Sequence, residues 1–162
     1  MSRSICFTEA GSGMRVACRL LDELAPRSAA FLWDLAGQRA RFAAMHAIWT
    51  GPELSCPLPA SALPAAVDAS LLPPENATSF PAAGDIVVAS LAAGSAKGLP
   101  PGVFFDIGMF YDSGGRLLMP FGWIAANVAA VIAPEDIAAA RAAIQHIRRN
   151  GACELGIERI EG

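Results

Sequence analysis

The stretch from Val103 to Ile132, VFFDIGMFYDSGGRLLMPFGWIAANVAAVI, constrains the fold more than any other part of the chain. It holds half of the aromatic side chains, namely Phe104, Phe105, Phe110, Tyr111, Phe121 and Trp123. Its only charges are Asp106, Asp112 and Arg116. An apolar run with turn residues at its middle, here Asp112-Ser113-Gly114-Gly115, predicts two or three closely connected strands in the central wall of a β-rich core. The first half, Val103 to Phe110, reads as core.

The flanking segments supply the rest of such a wall. Ser4–Glu9 and Met14–Leu21 surround Ala10-Gly11-Ser12-Gly13, and Val16, Cys18 and Leu20 alternate with Arg15, Ala17 and Arg19, which predicts a hairpin. On such a hairpin Cys6 and Cys18 could face each other. Pro26 is suited to a first helical turn, Leu32, Leu35 and Ala36 share a face, and Gly37 suits a left-handed cap, so a helix is expected over about 25–36. Extended patterns follow at Arg39–Thr50 and Glu53–Leu58. A proline-rich loop, 57–81, reads as a cover over a core edge. Gly84–Leu91 is an apolar strand, and Ala92–Gly102 a connection. Pro134, with Glu135 and Asp136 in its first turn and Arg148 and Arg149 at its end, predicts a second helix over about 134–149. Cys153–Ile160 is a last strand, expected beside the N-terminal hairpin. The order predicts a mainly β fold: one domain, 1–162, an antiparallel β-barrel with two α-helices rather than a βαβ sheet.

Composition narrows the functional classes. Fifteen acidic residues against twelve basic ones give a net charge of −3, with Lys97 the single lysine. No basic stripe is available to neutralise phosphates, so nucleic acid is not an expected partner. No apolar run has the length of a membrane-spanning helix and no secretory leader is evident, so a cytoplasmic location is expected. The four cysteines lack metal-ligand or CxxC spacing and are expected to be reduced core residues. Neither a metal nor a cofactor is indicated. There is no GxSxG elbow, P-loop or dinucleotide fingerprint.

Several motifs in order carry a resemblance: HAIWTGPE at 46–53, PPENAT at 73–78, the Gly84-Asp85 strand entry, PFGW at 120–123 and Asn127-Val128. Together with the Pro-started helix after the first hairpin, they resemble a bacterial cyclophilin-like family of unknown function. The resemblance spans nearly the whole chain and implies a closed cyclophilin-like barrel. Prolyl isomerases of this fold place an arginine directly after the histidine of the third strand. Here that position is Ala47, so the resemblance does not imply isomerase activity.

The expected function is binding of a small metabolite in a pocket at one end of the barrel, with the question of a reaction left open. The candidate ligand-binding residues are His46, Trp49, Glu53, Glu75, Asn76, Tyr111, Trp123 and Asn127. Histidine and paired carboxylates serve acid–base work. Trp49 and Trp123, beside Gly51 and Gly122, could line a concave mouth. Asn127, set in an apolar strand, needs partners if buried. A carboxylate or amide ligand suits this mixture. The alternative is a non-catalytic module whose aromatic rim binds a peptide or a second copy of the chain.

Overall fold

The computed structural model describes residues 2–162. β1 (Ser4–Glu9) and β2 (Met14–Leu20) form the expected hairpin. Then come α1 (Pro26–Gly37), β3 (Arg41–His46), β4 (Glu53–Pro59), β5 (Ala77–Thr78), β6 (Asp85–Leu91) and β7 (Phe104–Phe110). The short β8 (Leu118–Met119) and β9 (Gly122–Trp123) precede β10 (Ala126–Ile132), α2 (Ile137–Asn150) and β11 (Cys153–Ile160). Eight strands run in the order β2-β1-β11-β3-β4-β7-β6-β10, and β10 pairs back onto β2, closing an antiparallel barrel. Closure leaves no long sheet edge exposed.

Period-2 alternation decides what fills the interior. Leu54, Cys56 and Leu58 of β4, Ile86 and Val88 of β6, and Phe105, Ile107 and Met109 of β7 all point inward and are buried. α1 lies against β10 and β11 and adds Phe31, Leu32 and Leu35 to this core. Phe31 stacks on Phe105 with ring centroids 4.8 Å apart. α2 lies against β2 and β3 and contributes Ala140, Ile144 and Ile147. No helix among the described residues is long and apolar enough to cross a membrane.

The structure differs from the sequence reading at five places. Val103–Ile132 is not a local hairpin, because β6 lies between β7 and β10. At Gly115 a side chain would meet the Phe110 ring and the Pro81 carbonyl at 2.7 Å, so the chain after the 112–115 turn folds flat over the outside of the wall. Gly37 is the last helical residue rather than a left-handed cap; positive φ falls on Arg39, at 51°. The space a Cβ would take at Gly37 is occupied by the Arg159 guanidinium, which donates to the Trp33 carbonyl and lies 4.4 Å from the Trp33 ring centroid. Cys6 pairs with Ala17 and Cys18 with Ile5, which sets the two cysteines on opposite faces of the hairpin. Both are free thiols, and burial pushes each thiol's pKa up. Finally, Pro57 and Pro59 belong to β4, and a single 3-10 turn, Pro134–Asp136, precedes α2.

Candidate functional site

Buried side chains fill the barrel interior, and the cleft lies on the outside of its side wall rather than at an end. The residues that alternate with the core positions of β4, β7 and β6 form its floor: Glu53, Ser55 and Pro57, then Phe104 and Asp106, then Val87 and Ala89. Two segments wall it in. Ile48, Trp49 and Thr50 come from the turn between β3 and β4, and Leu117, Met119, Phe121 and Ile124 from the excursion bearing β8 and β9. Lys97 and Leu99 of the β6–β7 connection reach the rim. The enclosed volume is about 390 Å³, within the range of small-molecule sites.

Backbone hydrogen bonds hold the excursion in place. Arg116 N–H donates to the Thr50 carbonyl at 3.1 Å, Leu117 N–H to Ser79 at 2.8 Å, and Ile124 N–H to Leu117 at 3.0 Å. Gly51, at φ 90°, passes close to the Gly114 carbonyl, which would lie 2.9 Å from a Cβ added there. Only glycine meets both demands without strain.

Two carboxyl groups sit in the floor. Glu53 is buried, with 6% of its surface exposed, and its Oε1 accepts a 2.6 Å hydrogen bond from the Thr50 hydroxyl. Asp106 is half-buried, and both of its oxygens lie 3.0 Å from the Ser55 hydroxyl. In the β4–β7 register Glu53 faces Phe110, Ser55 faces Gly108 and Pro57 faces Asp106. The two acids therefore stand on one diagonal, separated by the Ser55–Gly108 pair. Gly108 is what lets them approach: Glu53 Oε2 occupies the space its side chain would take. Among the described residues neither acid has a salt-bridge partner. Burial pushes the Glu53 pKa well above the usual carboxylate range, and the neighbouring Asp106 charge raises it further. Burial raises Asp106 as well, against the lowering effect of Ser55. Ionising one of the two carboxyls therefore disfavours ionising the other.

His46 stands at the edge of the same cleft but is fully engaged. Its Nδ1 lies 2.8 Å from the Ala47 carbonyl and so carries the proton, which leaves Nε2 to accept from the Tyr111 hydroxyl at 2.7 Å. Burial raises the Tyr111 pKa, keeping it a donor. This dyad fixes the exit of β3 and touches the cleft only through His46. A shallower groove of about 470 Å³ adjoins it, bounded by Met45, Ala47 and Arg148.

The remaining expected site residues lie elsewhere. Glu75 Oε1 accepts from Ser28 N–H at 2.6 Å, in the first turn of α1, where Ala25 offers no side-chain cap. Asn127, buried at 6% exposure, accepts from Glu75 N–H and donates to Ser28 Oγ and the Pro73 carbonyl. Asn76, at φ 49°, exchanges two hydrogen bonds with the Val128 backbone. These three residues bolt the proline-rich loop to α1 and β10 and do not line the cleft. Trp123 lies outside the lining too, packed at 5.3 Å on Phe80. Of the eight expected residues, His46, Trp49 and Glu53 come together at the cleft, and Tyr111 supports His46.

Asp106, Thr50, Ser55 and Gly108 were not among the expected site residues. The signal for Asp106 was present: alternation along FFDIGMF puts Phe105, Ile107 and Met109 on one face and Phe104, Asp106 and Gly108 on the other. Reading the run as uniform core hid a lone carboxylate facing out beside a glycine.

The barrel is similar to solved structures at the level of fold. It superposes on the structure of McbB in complex with tryptophan with a TM-score of 0.61 and 16% identity, over 98% of this chain and 45% of that one. The chain thus spans less than half the length of that protein. It also superposes on the crystal structure of the Mimivirus cyclophilin with a TM-score of 0.53 and 8% identity, over 98% of this chain and 89% of the other. At these identities the likeness concerns the fold alone. No curated protein sequence matches the chain significantly. Residues 7–158 match the family model described as "Protein of unknown function (DUF3830)", and the chain belongs to that family.

Proposed function

We propose that the protein binds a small organic molecule in the lateral cleft, with an apolar body against Trp49, Leu117, Phe121 and Ile124 and an uncharged polar end on the Glu53–Asp106 floor. The observation that carries this reading is the pairing of a largely apolar recess with two carboxyls, one buried and one half-buried, that no cation among the described residues neutralises. Apolar walls supply affinity, and a few placed polar groups fix orientation. A carboxylate ligand no longer fits, because its charge would meet the pair; an amide, ketone or alcohol group does. McbB, part of which is similarly folded, has been captured with tryptophan, so a protein containing this fold takes a small aromatic ligand. Arginine does not line the cleft, and the residue after His46 is Ala47, so nothing here supports prolyl isomerisation.

Thermal-shift screening with neutral aromatic amides, ketones and alcohols tests the reading. Ligands that bind only the folded state raise the melting temperature. Ala89→Phe, which fills the floor, is expected to abolish the shift while the variant still melts cooperatively. A shift that survives this substitution would place binding elsewhere.

A second reading rests on the exposed rim, where Ile48 is 80% and Trp49 53% exposed. Such a surface could dock a peptide or another copy of the chain. Sedimentation showing a concentration-dependent dimer that Trp49→Ser disrupts would favour it over the first.

A further inference from the structure

Resting on the reading of the cleft as a small-molecule site, we propose that Glu53 and Asp106 are an acid–base pair that moves a proton between two positions of an uncharged, apolar carbonyl compound.

Both side chains point into one recess from neighbouring strands, and Gly108 gives the Glu53 carboxyl room to lie over the strand toward Asp106. Their hydrogen bonds within the protein come from two hydroxyls, Thr50 to Glu53 and Ser55 to Asp106. Glu53 Oε2 has no hydrogen-bond partner among the described residues. The groups are therefore oriented by the fold yet still available on the cleft side. This differs from the other buried polar cluster, where Glu75 and Asn127 are used up by backbone groups and by Ser28. The other titratable groups lining the cleft are His46, tied to Tyr111, and Lys97 on the exposed rim.

A pair that holds one proton offers a base and an acid at once. Glu53, the more deeply buried, keeps the proton; Asp106, open to the cleft, carries the charge. With the carbonyl oxygen of the substrate on Glu53 and its α-carbon on Asp106, the Asp106 carboxylate removes the α-hydrogen as a proton. The C–H electron pair becomes the new C=C bond, and the carbonyl π pair moves to oxygen, which takes the Glu53 proton. One C–H and one carboxyl O–H bond break, while an enol O–H and the Asp106 O–H form. The negative charge passes from Asp106 to Glu53, so the net charge is unchanged. Return of the Asp106 proton to a carbon, and of the enol proton to Glu53, resets the pair. No oxidant, reductant or further reactant is needed.

The test uses the intact protein in deuterated water with two probes, 2-indanone and phenylacetone. Proton NMR follows loss of the α-hydrogen signal, and ligand-observed saturation transfer measures binding independently. Positioned acid–base catalysis contributes about 10²–10⁴-fold. We expect exchange of a bound probe at least about 100-fold faster than in matched buffer, with a bell-shaped pH profile. Glu53→Gln and Asp106→Asn should each remove the acceleration while retaining binding. Gly108→Ala, which displaces the Glu53 carboxyl, should lower the rate and leave affinity nearly unchanged. Binding without accelerated exchange overturns the acid–base role and leaves the binding reading intact. If neither probe binds, both fall for this class of ligand. Exchange that simply tracks hydroxide concentration, or survives both substitutions, overturns the role of the pair without any reliance on how the variants fold.

Discussion

Two polar clusters are buried against the same barrel wall, and they differ in what they leave open. The Ser28–Glu75–Asn127 cluster, at the start of α1, is closed: the Asn127 amide makes three hydrogen bonds, and Glu75 accepts from the helix backbone. The Thr50–Glu53–Ser55–Asp106 cluster, on the outer face of β4 and β7, is held only by hydroxyls and faces a cavity. Buried polar groups whose partners are all backbone or neighbouring side chains act as structural bolts. Buried acids whose partners leave them facing empty space, with raised pKa values, mark a site. Burial alone does not separate these cases; the direction of the unused lone pairs does.

Cutting the closed cluster should have the largest effect on stability. Asn127→Ala orphans Glu75 N–H and the Ser28 hydroxyl, and should cost about 2–4 kcal/mol in chemical denaturation. Ligand shifts at the cleft, scaled to the folded fraction, should persist in this variant. Losing them would mean that the clusters are one unit. Glu75→Gln keeps the shape but removes the charge at the α1 N-terminus, and a loss of about 1 kcal/mol in the same measurement is expected.

In the open cluster the sign reverses. An acid whose pKa is higher folded than unfolded favours the native state only while protonated, so its contribution to stability is lost as pH rises above the ordinary carboxylate range. Glu53→Gln should therefore be neutral or slightly destabilising in acid, yet raise the melting temperature by about 2–4 °C at mildly alkaline pH. Scanning calorimetry at the two pH values checks this. A variant less stable than wild type at both would show that Glu53 is a bolt like Asn127. The smallest effect belongs to the outer aromatic contact: Trp123→Ala should change stability by less than about 0.5 kcal/mol, since both Trp123 and Phe80 are exposed.

The same contrast explains what the sequence could disclose. Alternation and turn residues predicted most of the long strands, both helices and the barrel class, because hydrophobic period reports which face of an element is dry, while the two-residue β5 fell inside the segment read as a loop. His46, Trp49 and Glu53 were legible as a group because one short turn carries them all. Glu75 and Asn127 were recognised as residues needing partners, but whether those partners were a ligand or the α1 backbone depended on the path of the 57–81 loop, which no local pattern encodes. The assumed neighbourhood of Val103–Phe110 and Pro120–Asn127 failed for a related reason: β6, distant in sequence, inserts between β7 and β10. Asp106 was hidden by a run of aromatics whose two faces have different surroundings, one the barrel core and the other the cleft.

Two carboxyls on the outside of the wall oppose each other's ionisation. Carbon-13 NMR titration of the Glu53 and Asp106 carboxyl resonances, assigned with Glu53→Gln and Asp106→Asn, tests this central claim directly. Both should titrate well above their ordinary values of 4.5 and 3.8, and removing either acid should lower the pKa of the other. Two independent titrations at those ordinary values, unaffected by the partner's removal, would contradict the claim.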